Sequence, residues 1–278
     1  MLPMSIDARL QFADLARLPD EEIDLDRAAL LIARETDETV DVDFYLGFLD
    51  QLADNFRKGF ERDGGPGISV SSLIDFIHRE EGFTGNVKDY YDPSNSFLSR
   101  VIDTRQGIPI SLALVHIALG KRLDLPVFGI NFPGHFLVRY GDAKHEIVDP
   151  FAGRILSRPD CSTLLRQIAG PRAVLQDEYF DAASNREILV RILDNLKQIF
   201  WRKKSWDESK ACIDRQLLLL PERAELNIQL GAVYEMQGKV PQARTAYTEA
   251  LLATSDDKLR ESASKRLLAL ESKPRTVH

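Results

Sequence analysis

Cysteine is scarce in this chain: Cys161 and Cys212 are the only two in 278 residues. Two thiols cannot make a disulfide framework, and theirs is not a metal-ligand spacing. Long apolar runs are missing as well, and nothing approaches the roughly 18 residues of a membrane span. The opening MLPMSIDARL has no basic stretch followed by an apolar one, so no secretory signal is expected. Positive charge is in deficit, with 36 Lys and Arg against 43 Asp and Glu, a net charge of −7 and a pI near 5.4. A nucleic-acid binder usually turns a basic face to phosphate, so no nucleic acid is expected as a partner. These absences point to a cytoplasmic protein with reduced thiols and no membrane contact, and no metal and no cofactor are expected. What is present is ordinary for a globular protein, 44% hydrophobic and 28% charged. The length suggests two domains.

Residues 1 to about 100 read as helices. Apolar residues recur at helical spacing from Asp26 to Phe60, among them Leu30, Ala33, Phe44, Phe48 and Leu52. Gly64-Gly-Pro-Gly67 breaks the pattern, and Ser71 or Ser72 can cap a further helix carrying Leu73, Phe76 and Ile77. Asn86 to Asn95 reads as an ordered loop whose Asn86, Asp92 and Asn95 line a pocket or cap turns. Phe97 to Asp103 reads as a short helix. Pro109 then suits a first helical position, and Ile110 to Leu119 is apolar nearly all round, the mark of a helix buried on several sides. That helix is expected to end near Leu125-Pro126. Short β-like runs follow: Val127 to Phe132, then His135 to Tyr140 and Lys144 to Val148 as a hairpin around Gly141-Asp-Ala143.

The last third repeats. Phe200 aligns with Tyr234, 34 residues on, and Leu196, Ser209, Ile213 and Gln216 then fall on Leu230, Ala243, Tyr247 and Ala250. The second copy, with Leu230-Gly231, Tyr234, Ala243, Tyr247 and Ala250, resembles the tetratricopeptide pattern, and Pro221 stands between copies where that pattern has a proline. Lys197 at the usual glycine and Gln216 at a usual small residue make the first copy degenerate. Asp257 to Glu271 reads as a capping helix. Trp201 and Trp206, with Arg202, Lys203 and Lys204 between them, form either a partner face or the turn between two repeat helices.

Chemistry concentrates in the middle. A buried helix, then a β-strand histidine (His135), then a strand-end aspartate (Asp149) is the chain order of papain-like and transglutaminase-like thiol enzymes. With a three-residue hairpin loop, Tyr140 faces Lys144 and His135 faces Asp149, close enough for an imidazole–carboxylate hydrogen bond. His145 and Arg139 are then neighbours on the same face. A metal site of His135, His145 and Asp149 is a further reading of these residues. His116 in the apolar helix reads as a core histidine.

Gly82-Phe-Thr-Gly-Asn86, Tyr90-Tyr-Asp-Pro-Ser-Asn-Ser96, Gly107-Ile-Pro-Ile-Ser111 and Phe132-Pro-Gly-His-Phe136 together resemble the transglutaminase-like superfamily. More narrowly, nearly the whole chain resembles the bacterial SirB-type family, which joins such a core to a tetratricopeptide tail. The superfamily places Gly-x-Cys at the helix start, where this chain has Gly107-Ile108-Pro109. Counting back from Asp124-Leu-Pro126, which matches a Gly-Ile-Pro turn, also lands the cysteine position on Pro109. A proline carries no nucleophile. Ser111 lies two positions on, roughly 200° around the helix, and serves either as a helix N-terminal hydrogen-bonding residue or as a replacement nucleophile.

The resulting expectation is an α+β region at residues 1–183, its papain/transglutaminase-like core at about 100–160 built of helices and a small antiparallel sheet. An all-α tail at 184–278 follows, with two tetratricopeptide-like hairpins and a cap. The leading functional expectation is a pseudoenzyme that binds a protein or peptide through the tail, and through a core cleft lined by Pro109, Asn131, Arg139 and His145. The alternative is a hydrolase or acyl-transferase that uses His135 and Asp149 with Ser111 or a water.

Overall fold

The computed structural model describes residues 4–62, 69–141 and 146–272. The chain divides into two compact units, Met1–Ile192 and Leu193–His278. It has an α+β core and a helical tail.

The first unit opens with α1 (Met4–Ala16), α2 (Leu25–Thr36) and α3 (Val42–Arg62). The run of helical spacing from Asp26 to Phe60 is divided between α2 and α3. Asp37 accepts the amide and hydroxyl of Thr39 at 3.1 and 2.6 Å, and Asp41 accepts the amides of Asp43 and Phe44, both at 3.1 Å. These local side-chain bonds turn the backbone between the helices, an effect that apolar spacing does not register. Leu30, Ala33 and Leu52 are buried as read, whereas Phe44 is exposed. The glycine–proline breaker at 64–67 lies outside the described residues. Next comes α4 (Val70–Asp75), which widens into a π turn at Phe76–Glu80. Its cap is Ser69, whose hydroxyl accepts the Ser72 amide at 3.1 Å, in place of Ser71 or Ser72. A short strand β1 (Thr84–Gly85) pairs in parallel with β2 (Gln106–Gly107), and α5 (Leu98–Thr104) lies between them in sequence.

Helix α6 (Pro109–Arg122) starts at the expected proline. Ile110, Leu112, Ala113, Leu114, Val115, Ala118 and Leu119 are all buried, the all-round burial implied by composition. Each large aliphatic side chain among them contributes about 1.5–3 kcal/mol. The helix stops short of Leu125 because Asp124 takes a left-handed conformation with φ 55°.

Four antiparallel strands follow in spatial order: β3 (Val127–Ile130), β4 (Leu137–Tyr140), β5 (Glu146–Asp149) and β6 (Arg154–Leu156). One face packs on α6 through Tyr140. The other carries Ile130, Leu137, Ile147 and Leu156 onto Cys161 and Leu165 of α7 (Arg158–Ala169). The hairpin register differs from the sequence reading. Val138 faces Val148 and Tyr140 faces Glu146, so the strands are offset by two residues from a three-residue loop. A two-residue offset keeps every side chain on its expected face, which is why the dyad survives the change.

Helix α8 (Asn185–Arg202) runs across the boundary between the units. The second unit continues with α9 (Trp206–Leu219), α10 (Ala224–Met236), α11 (Val240–Ala253) and α12 (Asp257–Ser272). Helices α9 and α11 begin and end 34 residues apart. Gly231 is there for close approach: a Cβ on it would lie 2.5 Å from the Tyr247 ring. The two residues that make the first copy degenerate answer each other. Lys197 Nζ donates to Asp194 Oδ1 at 2.7 Å and to Gln216 Oε1 at 2.8 Å, and Gln216 Nε2 donates to Asp194 Oδ1 at 2.8 Å.

Candidate functional site

The site is built where three elements end. Asp149 closes β5, and the following turn bends its backbone so that the amides of Phe151 and Ala152 donate to Oδ1 at 2.9 and 3.2 Å. His135 stands just before β4, in the bend after Phe132. Its Nε2 lies 3.0 Å from the same Oδ1. Both side chains are largely buried, 14% and 9% exposed. Burial by itself would raise the Asp149 carboxyl. The hydrogen bond and charge of His135, with the Ala152 and Phe151 amides, outweigh it and hold the group below the usual carboxylate range. An ionised Asp149 accepts the Nε2 proton and fixes the ring, leaving Nδ1 as the basic nitrogen. Nδ1 has no hydrogen-bond partner among the described residues.

Pro109 is buried at the first position of α6. The Ser111 hydroxyl is occupied elsewhere. It donates to Asn95 O at 2.5 Å, lies 3.1 Å from Ile108 O and accepts the Ile108 amide at 3.0 Å. Ser111 therefore ties the helix start to the loop ending at Asn95. Asn95 in turn accepts Asn86 Nδ2 at 3.0 Å and donates to Asp89 O at 2.7 Å, and Asp92 caps Ser94, so these polar residues build the loop itself. Asn131 is exposed after β3. Arg139 faces the α7 side of the sheet, over the Phe128 ring at 4.8 Å, and donates to Phe180 O at 3.2 Å. It makes no hydrogen bond to either member of the dyad. His145 lies outside the described residues. Among the described residues no group of three or more His, Cys, Asp and Glu is placed to hold a metal ion.

One residue at this site, His78, escaped the sequence reading, and so did its pairing with His116. His78 and His116 meet Nε2 to Nε2 at 3.0 Å, 38 positions apart in the chain. His116 is buried as expected, yet it is part of a hydrogen-bonded network, and no motif signals His78.

Residues 43–194 match the transglutaminase-like superfamily. The chain belongs to that superfamily. A UPF0162 protein of Xylella fastidiosa (strain 9a5c) is 34% identical over 85% of this chain and 86% of its own length. One of Pseudomonas aeruginosa is 37% identical over 66% and 67%. Human F-box only protein 21 is 27% identical over 58% of this chain, a match that spans 27% of that protein. Among solved structures, menin covers 94% of the chain at 12% identity with a TM-score of 0.36, too distant to bear on the fold. No helix among the described residues is long and apolar enough to cross a membrane. Both cysteines are buried, and burial pushes the Cys161 thiol up to about 11, with the neighbouring Asp160 charge adding to the rise. At neutral pH Cys161 is a protonated core group, not a thiolate.

Proposed function

We propose that this member of the superfamily is a non-catalytic, SirB-type protein whose tetratricopeptide-like tail holds a polypeptide, acting as an adaptor or regulator. The observation that carries the reading is that no hydroxyl or thiol among the described residues hydrogen-bonds to His135 Nδ1, while Pro109 fills the helix start and Ser111 is committed to backbone. Nucleophilic catalysis needs a nucleophile in reach of its base, and this site offers the base alone.

The tail supplies a binding surface. A cavity of about 470 Å³ is lined by Asp194, Lys197, Gln198, Trp201, Arg202 and Gln229, from α8 and α10. Trp201 presents an aromatic wall, and Gln229 Oε1 is a buried acceptor without a partner among the described residues. A flat ring flanked by amide donors and acceptors suits the alternating C=O and N–H groups of an extended peptide. The 34-residue recurrence of the helices supports the tetratricopeptide assignment.

The test is affinity capture with the full chain as bait, quantified for wild type, Trp201→Ala, Gln229→Ala and His135→Ala. The proposal expects one set of partners retained by His135→Ala and lost, at least tenfold, in both groove variants. Equal capture by groove variants and wild type would remove the groove from the account.

One observation favours a second reading. With Nε2 bound to Asp149, the free Nδ1 is oriented as a general base, so a hydrolase that activates water at His135 is the alternative.

A further inference from the structure

The turn that holds the Asp149 carboxylate leans on a half-buried imidazole, that of His78. Gly153 closes this turn, its amide donating to Asp149 O at 2.9 Å. It has φ 64°, and a Cβ there would lie 2.8 Å from His78 Cγ, so the ring packs directly on the turn's backbone.

His78 heads a chain of hydrogen bonds. Its Nδ1 lies 2.7 Å from Phe83 O, its Nε2 3.0 Å from His116 Nε2, and His116 Nδ1 lies 2.6 Å from Tyr140 Oη. One arrangement of protons satisfies every group. A carbonyl only accepts, so the His78 proton is on Nδ1. Nε2 of a neutral His78 then accepts, which requires the His116 proton on Nε2. His116 Nδ1 in turn accepts from the Tyr140 hydroxyl. The chain joins the three elements that carry the site: His116 is on α6, whose first residue is Pro109; Tyr140 is on β4, which follows His135; and His78 bears on the turn after Asp149.

We propose that His78, His116 and Tyr140 form a proton-operated latch on the His135–Asp149 dyad. When His78 takes a proton from solvent on Nε2, that nitrogen becomes a donor facing the His116 Nε2–H. The clash is relieved only if His116 changes tautomer, losing the proton from Nε2 and gaining one on Nδ1. The new N–H points at Tyr140 Oη, and the tyrosine hydrogen then has no second acceptor among the described residues. One proton is gained overall. The relay loses its complete pairing, His78 is no longer held against Gly153, and the Asp149 turn is released.

The groups facing the relay are few. Asp149 is the acidic group acting on His78 and favours its charged form, while burial opposes it more strongly and Phe83 O accepts from it. His116 faces His78 and Tyr140, and both His116 and Tyr140 are fully enclosed. The latch is thus neutral and closed at neutral pH, with its trigger at the half-buried end.

The test is nitrogen-resolved NMR of the imidazoles in the ¹⁵N-labelled full chain, as a function of pH. The latch requires the Nδ1–H tautomer at His78 and the Nε2–H tautomer at His116 above neutrality. It also requires the His135 signals to shift in step with His78 on acidification. In Tyr140→Phe one His116 nitrogen is unpaired whichever way the relay points, so the penalty on protonation disappears. His78 should then bind its proton roughly tenfold more tightly. Either tautomer reversed in the wild type overturns the latch, whether or not the variant folds. So does an unchanged His78 midpoint in Tyr140→Phe, or unfolding before His78 titrates, which would make the network a structural brace only.

Discussion

At the scale of single residues, position 109 holds a proline where the superfamily resemblance places a cysteine, and position 111 shows how nearby polarity is used instead. Ser111 pins the start of α6 to the Asn95 loop with bonds to Asn95 O and Ile108. Ser111→Ala strands a buried amide and a buried carbonyl, so the expected loss is about 1–3 kcal/mol of stability, read from urea midpoints. Partner capture by the folded variant should be unchanged, since the hydroxyl has no part in binding. The dyad itself was legible, because a histidine and an aspartate at strand ends in that chain order leave few other geometries. His78 was not legible. Its role comes from a contact with a residue 38 positions away and from a glycine with no room for a side chain, and neither leaves a pattern in a single sequence.

At the scale of elements, periodicity and proline placement located α6, the sheet and the 34-residue recurrence. Loop chemistry set what periodicity could not: the break between α2 and α3, the Ser69 cap, and the two-residue offset of the hairpin. The first repeat copy is instructive. Lys197 and Gln216 stand 34 residues before Gly231 and Ala250, and the space they fill holds a closed set of bonds with Asp194. The second copy keeps the small residue. Gly231→Ala forces a methyl to 2.5 Å from the Tyr247 ring and should destabilise by about 1–3 kcal/mol. A thermal or urea unfolding curve of the full chain checks this, and a neutral outcome would mean that the Gly231–Tyr247 contact is looser than described.

At the scale of the whole molecule, the buried imidazoles make folding pH-dependent. His78 and His116 are held below the ordinary histidine value of about 6.5, by burial first and for His116 also by the adjacent His78. Between that value and their lower folded values, the unfolded chain binds protons that the folded chain refuses. Stability is therefore fully present above about pH 6.5 and falls as the pH drops below it. The lowered Asp149 carboxyl adds a further loss at more acid pH, below about 3.9, where the unfolded group begins to protonate. Urea midpoints at pH 8, 6.5 and 5.5 should show the first decline, and a midpoint flat across that range would contradict the neutral, buried relay.

The account as a whole rests on the proposal that this superfamily core is non-catalytic, with His135 bonded to Asp149 and no hydroxyl or thiol bonded to His135 Nδ1 among the described residues. The most direct measurement is turnover of ester, amide and glutaminyl-peptide substrates by the full chain at pH 7–8, compared with His135→Ala. The account predicts rates indistinguishable between the two proteins and no faster than buffer. Turnover that the wild type shows and His135→Ala loses would contradict it, and would make water activation at His135 Nδ1 the working mechanism.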